Sequence, residues 1–384
     1  MRFKLLSLLF ICLMLFSTVG VASTTSTSKY NNNLNNVPNE TIVVNDLTVN
    51  GLQNAINNAN DGDTIIINGS ISGNGSISCK KHLLIVGQNN CKLYNVGWNC
   101  TKDMLFDSII FSSCCKNKGG AIYCDGCLSV YNCEFTNNSA AMYGGAIYCG
   151  DFLTVCNSEF DDNYAGSCGG AIYSRAARVY SSKFIKNEAH EDGGAIYSLV
   201  DYWAEYCSFE GNFVKEASVF QCEGGAIYSN GGGILITSNF TNNYAYDYGG
   251  AVWSDDGVTV DHCLFENNSV TDNRGGAIYM DDSCDLRVSH SAFYNNHANE
   301  KGGAIYCEGN KAHIYLDSFN SFENNTAKEG SVVFTDGFFD SIKYNWWGSV
   351  DPDWDSGLLV QGEGWPWPNI KRHDDAPLTY DPNL

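Results

Sequence analysis

Residues 135–159 read FTNNSAAMYGGAIYCGDFLTVCNSE, and at Phe160 the same pattern starts again. Its most regular part is Gly144-Gly145-Ala146-Ile147-Tyr148. The same five residues start at Gly119, Gly169, Gly193, Gly224, Gly275 and Gly302, and a variant reads Gly249-Gly250-Ala251-Val252-Trp253. Successive starts lie 25, 25, 24, 31, 25, 26 and 27 residues apart. A fixed period of this size marks a solenoid, in which each repeat stacks only on its neighbours.

Aligning the repeats on Phe111, Phe135, Phe160, Phe184, Phe209, Phe240, Phe265, Phe293 and Phe322 exposes fixed columns. Three residues on stands Asn: Asn138, Asn163, Asn187, Asn212, Asn243, Asn268, Asn296 and Asn325. Two residues before the Phe stands Cys or Ser: Cys133, Ser158, Ser182, Cys207, Ser238, Cys263 and Ser291. Short alternating runs within each coil read as strands with one face inward, and the repeat lacks the apolar period of a helix. A coil of about 25 residues built this way predicts a right-handed parallel β-helix. Like residues then stack at the inter-strand spacing of about 4.8 Å. Inward Ile, Val and Phe fill the core, aligned Asn side chains satisfy turn backbone groups, and the Gly pair lets neighbouring turns approach.

Outside the repeats the sequence is organised simply. Arg2 and Lys4 precede an apolar stretch from Leu5 to Phe16, and small residues lead to a cut between Ala22 and Ser23. Residues 1–22 therefore read as a secretory signal peptide. Residues 23–40 read as a disordered leader and 41–348 as the β-helix, with its regular repeats over about 104–334. Leu52, Ala55, Ile56 and Ala59 share one helical face after an Asn50 cap, which predicts a short helix covering the open first coil. Extra residues around Phe213–Gln221 read as a loop on one face. From Asn345-Trp346-Trp347-Gly348 onward come five of the eight Trp and five of the six Pro, and residues 349–384 read as a C-terminal cap and tail.

A net charge of −21 with only 22 Lys and Arg argues against nucleic acid, and suits a secreted protein with at most weak surface calcium binding. No second apolar run is long enough to span a bilayer. Sixteen cysteines remain after residue 22, and they exchange with serine in columns, as Cys124, Cys149 and Cys307 do with Ser174, Ser198 and Ser229. Column packing is the favoured reading, with disulfides between adjacent coils the alternative. Cys124 and Cys127 have metal-like spacing but no matching second pair, which argues against zinc.

No catalytic set and no cofactor or metal site is recognisable in the sequence. A polysaccharide lyase on a β-helix needs clustered carboxylates with a nearby base, and a hydrolase needs paired acids on adjacent coils. The doublets Asp161-Asp162, Asp255-Asp256 and Asp281-Asp282 fall at different points of the coil and are not expected to converge. Val260-Asp261-His262-Cys263 is similar to a segment of pectate lyases, but the same columns elsewhere hold Tyr131-Asn132, Cys156-Asn157 and Ser289-His290. Asp261 and His262 are therefore read as repeat variation. Sequons stand at Asn39, Asn68, Asn74, Asn99, Asn137, Asn239, Asn267 and Asn324, and any on the inward Asn ladder would be closed to glycan.

Phe-x-x-Asn paired in phase with Gly-Gly-Ala-Ile over residues 111–330 resembles the repeat of the chlamydial polymorphic outer-membrane proteins, which are surface adhesins. The leader, the Asn richness and the Asn345-Trp346-Trp347-Gly348 end resemble more closely the β-helix adhesin-like proteins of methanogenic archaea. The C-terminal β-barrel of the first family and the immunoglobulin-like repeats and anchor of the second are not recognisable here. The resemblance implies extracellular or cell-surface presentation and non-catalytic binding to glycans or surface proteins of other cells. Tyr123, Tyr148 and Tyr173 are the candidate glycan contacts if they point outward, and a structural ladder along one corner if they do not. The alternatives are a polysaccharide lyase or hydrolase, and a passive component of the cell envelope.

Overall fold

The computed structural model describes residues 39–215, 221–281, 284–342, 344–349 and 357–361. The expected signal peptide with its Ala22–Ser23 cut, nearly all of the expected leader, and most of the Trp- and Pro-rich tail lie outside the described residues.

The chain forms a parallel β-solenoid of about twelve turns. The repeat columns become ladders in strict register: Leu128 pairs with Leu153, Phe135 with Phe160, Ala140 with Ala165 and Ile147 with Ile172. Among the described residues, 32 strands join in one sheet that turns with the coil, and seven short strands form a second. Pairing starts before the quintets do, running from Thr41 to Thr64, Leu84, Leu105 and Ser129.

Stacking explains what each column contains. All nine column phenylalanines are at most 1% exposed. Their rings lie parallel with centroids 4.7–5.1 Å apart, a separation set by the strand spacing. Trp347 continues this ladder, its ring stacked 4.9 Å from that of Phe322. The fully buried Asn side chains each bind two coils. Asn187 Nδ2 donates to Asn212 Oδ1 at 2.9 Å and to the Phe160 carbonyl at 3.0 Å, while the Asn187 backbone N–H also donates to Asn212 Oδ1. The ladder thereby pairs the turn N–H at each Asn and adds a bond to a strand carbonyl of the coil before.

Cysteine and serine exchange because they make the same local bond. Ser158 Oγ donates to the carbonyl two residues back at 2.9 Å, and Cys133 Sγ and Cys207 Sγ do likewise at 3.2 and 3.3 Å. Of the sixteen cysteines from Cys79 onward, only Cys115 and Cys127 are not buried. Burial pushes the thiols of Cys133, Cys207 and Cys263 up to about 12, so they stay protonated and unreactive.

The helix spans Val49–Asn58, but its cap is Thr48 and not Asn50, because the Thr48 hydroxyl accepts the Gly51 N–H at 3.0 Å. Leu52 and Ile56 are buried beneath it. Gln53 pairs its amide with both backbone groups of Ser78, at 2.9 and 2.8 Å, which occupies strand groups beside the first coils. In the long central repeat, Phe213–Val214 still pairs as a strand and buried Cys222 packs with Ala189 and Val214, whereas residues 216–220 lie outside the described ones.

Candidate functional site

The Gly-Gly turn positions the most distinctive surface of the molecule. Its first glycine takes a positive φ, as at Gly144 (64°), and its second packs against the carbonyl of the next turn. The strand that follows puts Ile inward, Tyr outward, and Cys or Ser inward. The tyrosines therefore leave the core and stack on one another along the solenoid. Tyr123, Tyr148, Tyr173, Tyr197 and Tyr228 follow at 4.7–5.2 Å with nearly parallel planes, then come Trp253, Tyr279, Tyr306 and Phe334.

The two halves of this ladder differ in cover. Tyr123, Tyr148, Tyr173 and Tyr197 are half-buried, whereas from Tyr228 to Phe334 every ring is at most 9% exposed. The residue just before each Gly-Gly lies against the ladder in both halves, as Tyr143 does 4.8 Å from Tyr173. Tyr248 lies 4.7 Å from Tyr279, the Arg274 guanidinium sits 5.0 Å over Tyr306, and Lys301 sits 4.1 Å over Phe334. Towards the open half, Lys118 lies 5.1 Å over Tyr148, and Tyr123 donates to Asp125 at 2.5 Å. Exposed Phe152 stands beside Arg175, which pairs with Asp151 at 3.3 Å. The three sequence candidates thus fall in the accessible half, and Tyr197 belongs with them. The rings form a ladder, and in its open half they stay partly exposed.

Carboxylates gather at the junction of the two halves. Asp192 and Glu223 pair on adjacent coils, each just before its Gly-Gly. Burial, then the charge of Glu191, pushes Asp192 up to about 7. Burial, then the charges of Asp192, Asp281, Asp247 and Glu308, pushes Glu223 up to about 8. Tyr279 donates to Glu308, whose carboxylate lies 3.7 Å from Arg274. The Trp253 indole N–H is buried in this stretch without an acceptor among the described residues. The arrangement offers a strip of aromatic edges and hydroxyls beside two acids that hold protons near neutral pH.

A pH dependence follows. Both acids are raised above their unfolded values near 4, so the folded state holds protons that the unfolded chain releases. Their contribution is complete below about pH 4 and is lost as pH rises through about 7 for Asp192 and about 8 for Glu223. Thermal melts should show stability falling between pH 5 and 9. E223Q should remove on the order of 3 kcal/mol of that fall. An unchanged slope in E223Q would refute this assignment.

Other sequence readings are placed as follows. Asp255 and Asp281, from two of the doublets, do share a column, since their preceding residues Ser254 and Met280 are in register. Asp161 lies elsewhere, on the strand Glu159–Asp161, and Asp282 lies outside the described residues. The shared column arises because both doublets follow the strand of the tyrosine ladder. No sequon lies on the Asn ladder: each precedes it or stands apart, and all eight acceptor asparagines are exposed. Asp261 and His262 stand one coil from His290 on a corner away from the tyrosines, where the column brings all three together.

The pattern of the Chlamydia polymorphic membrane protein repeat matches this chain at residues 132–150, 157–175, 181–199, 262–281 and 290–308. Each match runs from a corner turn through the Asn column to the tyrosine strand. The chain is also 37% identical over 103 residues to the probable autotransporter YfaL of Escherichia coli (strain K12), a stretch covering 25% of this chain and 8% of that protein. The similarity thus spans only a small part of that relative's length. No solved structure matches the chain. The molecule is a parallel β-solenoid, and five of its coils are similar to the polymorphic membrane protein repeat.

Proposed function

We propose that this chain is a secreted, cell-surface-associated β-helix that binds glycans of partner cells without catalysis, through the open half of its tyrosine ladder. The observation that carries the reading is the run of half-buried, parallel rings from Tyr123 to Tyr197. The stacked rings cover one another's faces and turn their edges and phenol hydroxyls outward, a fixed row that sugar rings can contact at little entropic cost. Lys118, Asp125, Asp151 and Arg175 beside them supply hydrogen bonds for hydroxyl groups. The surface location draws on the basic and apolar N-terminal leader, and on the similarity to a probable autotransporter and to membrane-protein repeats.

One observation favours a second reading. Asp192 and Glu223 are acids on adjacent coils with raised proton affinity, the pairing a polysaccharide hydrolase requires. A glycan array probed with residues 23–384, with and without calcium, separates the two when sugar products are analysed alongside. Saturable binding to intact sugars is expected. New reducing or unsaturated ends, abolished by E223Q, would replace binding with cleavage. Absence of both would refute the glycan reading.

A further inference from the structure

We propose that Asp261, His262 and His290 form a surface site for a divalent transition-metal ion of the zinc type. The three residues occupy one corner of two successive coils. Strands Val258–Asp261 and Asp285–Ser289 pair in register, with Asp261 opposite Ser289, so the residues that follow them stack. His262 and His290 both adopt positive φ, 53° and 48°, and the His262 N–H donates to the Ser289 carbonyl. Backbone geometry therefore fixes the two imidazoles, whose rings lie 4.5 Å apart at an interplanar angle of 14°.

Both rings turn Nδ1 towards one carboxylate. His262 Nδ1 lies 2.9 Å from Asp261 Oδ2, and His290 Nδ1 lies 3.1 Å from Asp261 Oδ1. The Ser289 hydroxyl donates to Oδ1 at 2.7 Å and orients the carboxylate from outside the cluster, as second partners of metal ligands do. The three ligand atoms all lie within 4.8 Å of one another. Tetrahedral zinc, with bonds of 2.0–2.2 Å, needs its ligand atoms about 3.3–3.6 Å apart, which small side-chain rotations supply. The set of two imidazoles and one carboxylate suits zinc or nickel, and the exposed imidazoles leave a remaining position open to water.

Each neutral imidazole can donate an Nδ1–H to Asp261, so the three side chains already meet around one carboxylate. A dication would take the place of those two protons once the rings carry their protons on Nε2 and offer Nδ1 as ligands. Earlier coils fill this corner column with Asn132 and Asn157, whose amides hydrogen-bond to each other at 2.7 Å, so the column does not need histidine for folding.

That last point supplies variants that keep the fold. H262N and H290N place in the column a residue it already carries, at the same positive φ. The full chain, purified free of metal, is titrated with Ni²⁺ by calorimetry. One equivalent is expected to bind, and the double variant should weaken it at least tenfold with an unchanged circular dichroism spectrum. A C115S/C127S variant, lacking the two thiols that are not buried, should bind as the parent does. No binding, binding indifferent to the histidine variants, or binding lost with the thiols would each overturn the site.

Discussion

Replacing Asn212 with Ala is expected to destabilise the solenoid by about 3–5 kcal/mol. Asn212 is fully buried at the centre of the Asn ladder. Its Oδ1 accepts both the backbone N–H and the side-chain amide of Asn187, at 3.0 and 2.9 Å. Its Nδ2 donates to the Phe184 carbonyl at 2.9 Å and to Asn243 Oδ1 at 3.0 Å. Truncation strands two buried groups, the Asn187 N–H and one hydrogen of the Asn187 amide, and removes one of the bonds to the Phe184 carbonyl. The Asn243 oxygen keeps the bond from the residue 212 backbone N–H. Each orphan costs roughly 1–3 kcal/mol. The loss should be local, because each coil contacts only its neighbours. Hydrogen exchange should show lost protection in the coils around residue 212, and denaturant melts should show an early phase. K183A, at an exposed position nearby, should change stability by less than about 0.5 kcal/mol. An N212A melt matching that of K183A would refute the ladder's role.

The second large effect is expected at the second glycine of the quintet. A Cβ on Gly225 would lie 2.1 Å from the Gly250 carbonyl oxygen and 2.6 Å from the backbone of Tyr244. Every obstacle is backbone, so no side chain can rotate aside. The next coil would have to withdraw, which breaks the bonds from Gly225 N–H to the Gly249 carbonyl and from Ala226 N–H to the Ala251 carbonyl. G225A is expected to cost at least about 4 kcal/mol, beyond ordinary overpacking. Gly211 is the informative contrast. It has φ 63°, yet its added Cβ would meet only Lys186 Cγ at 3.6 Å, and other coils place Asn137, Asp162, Lys186 and Asn242 at that corner with similar φ. G211N should therefore be neutral or stabilising. If G225A and G211N melt alike, coil-to-coil contact does not govern Gly225.

These contrasts show what a single sequence can reveal of such a fold. Phe, Asn and Gly columns were legible because stacking forces like residues to recur, and recurrence at one period is visible in the chain itself. The helix was legible from Leu52 and Ile56, but its start was not, because Thr48 and Asn50 are both good caps and only the hydroxyl contact with Gly51 decides. The covered half of the tyrosine ladder was hidden for the opposite reason. The residues before Gly-Gly run Lys118, Tyr143, Cys168, Asp192, Glu223, Tyr248, Arg274 and Lys301, a column with no pattern. Nothing in its sequence says that Asp192 and Glu223 face each other, or that Arg274 shields Tyr306, until the coils are stacked. Asp261, His262 and His290 were visible as column-mates but looked like drift, since two histidines in a variable corner form no motif.

The central claim is that the open half of the tyrosine ladder is the binding face. The most direct test is the affinity of Y123A/Y148A/Y173A, against the parent chain, for the strongest glycan of the array. These rings lie outside the main core, so the fold should survive, and circular dichroism would verify it. At least tenfold weaker binding is expected, a loss of about 1.4 kcal/mol or more. Equal affinity in a folded triple variant would contradict the account and move the binding face elsewhere on the solenoid.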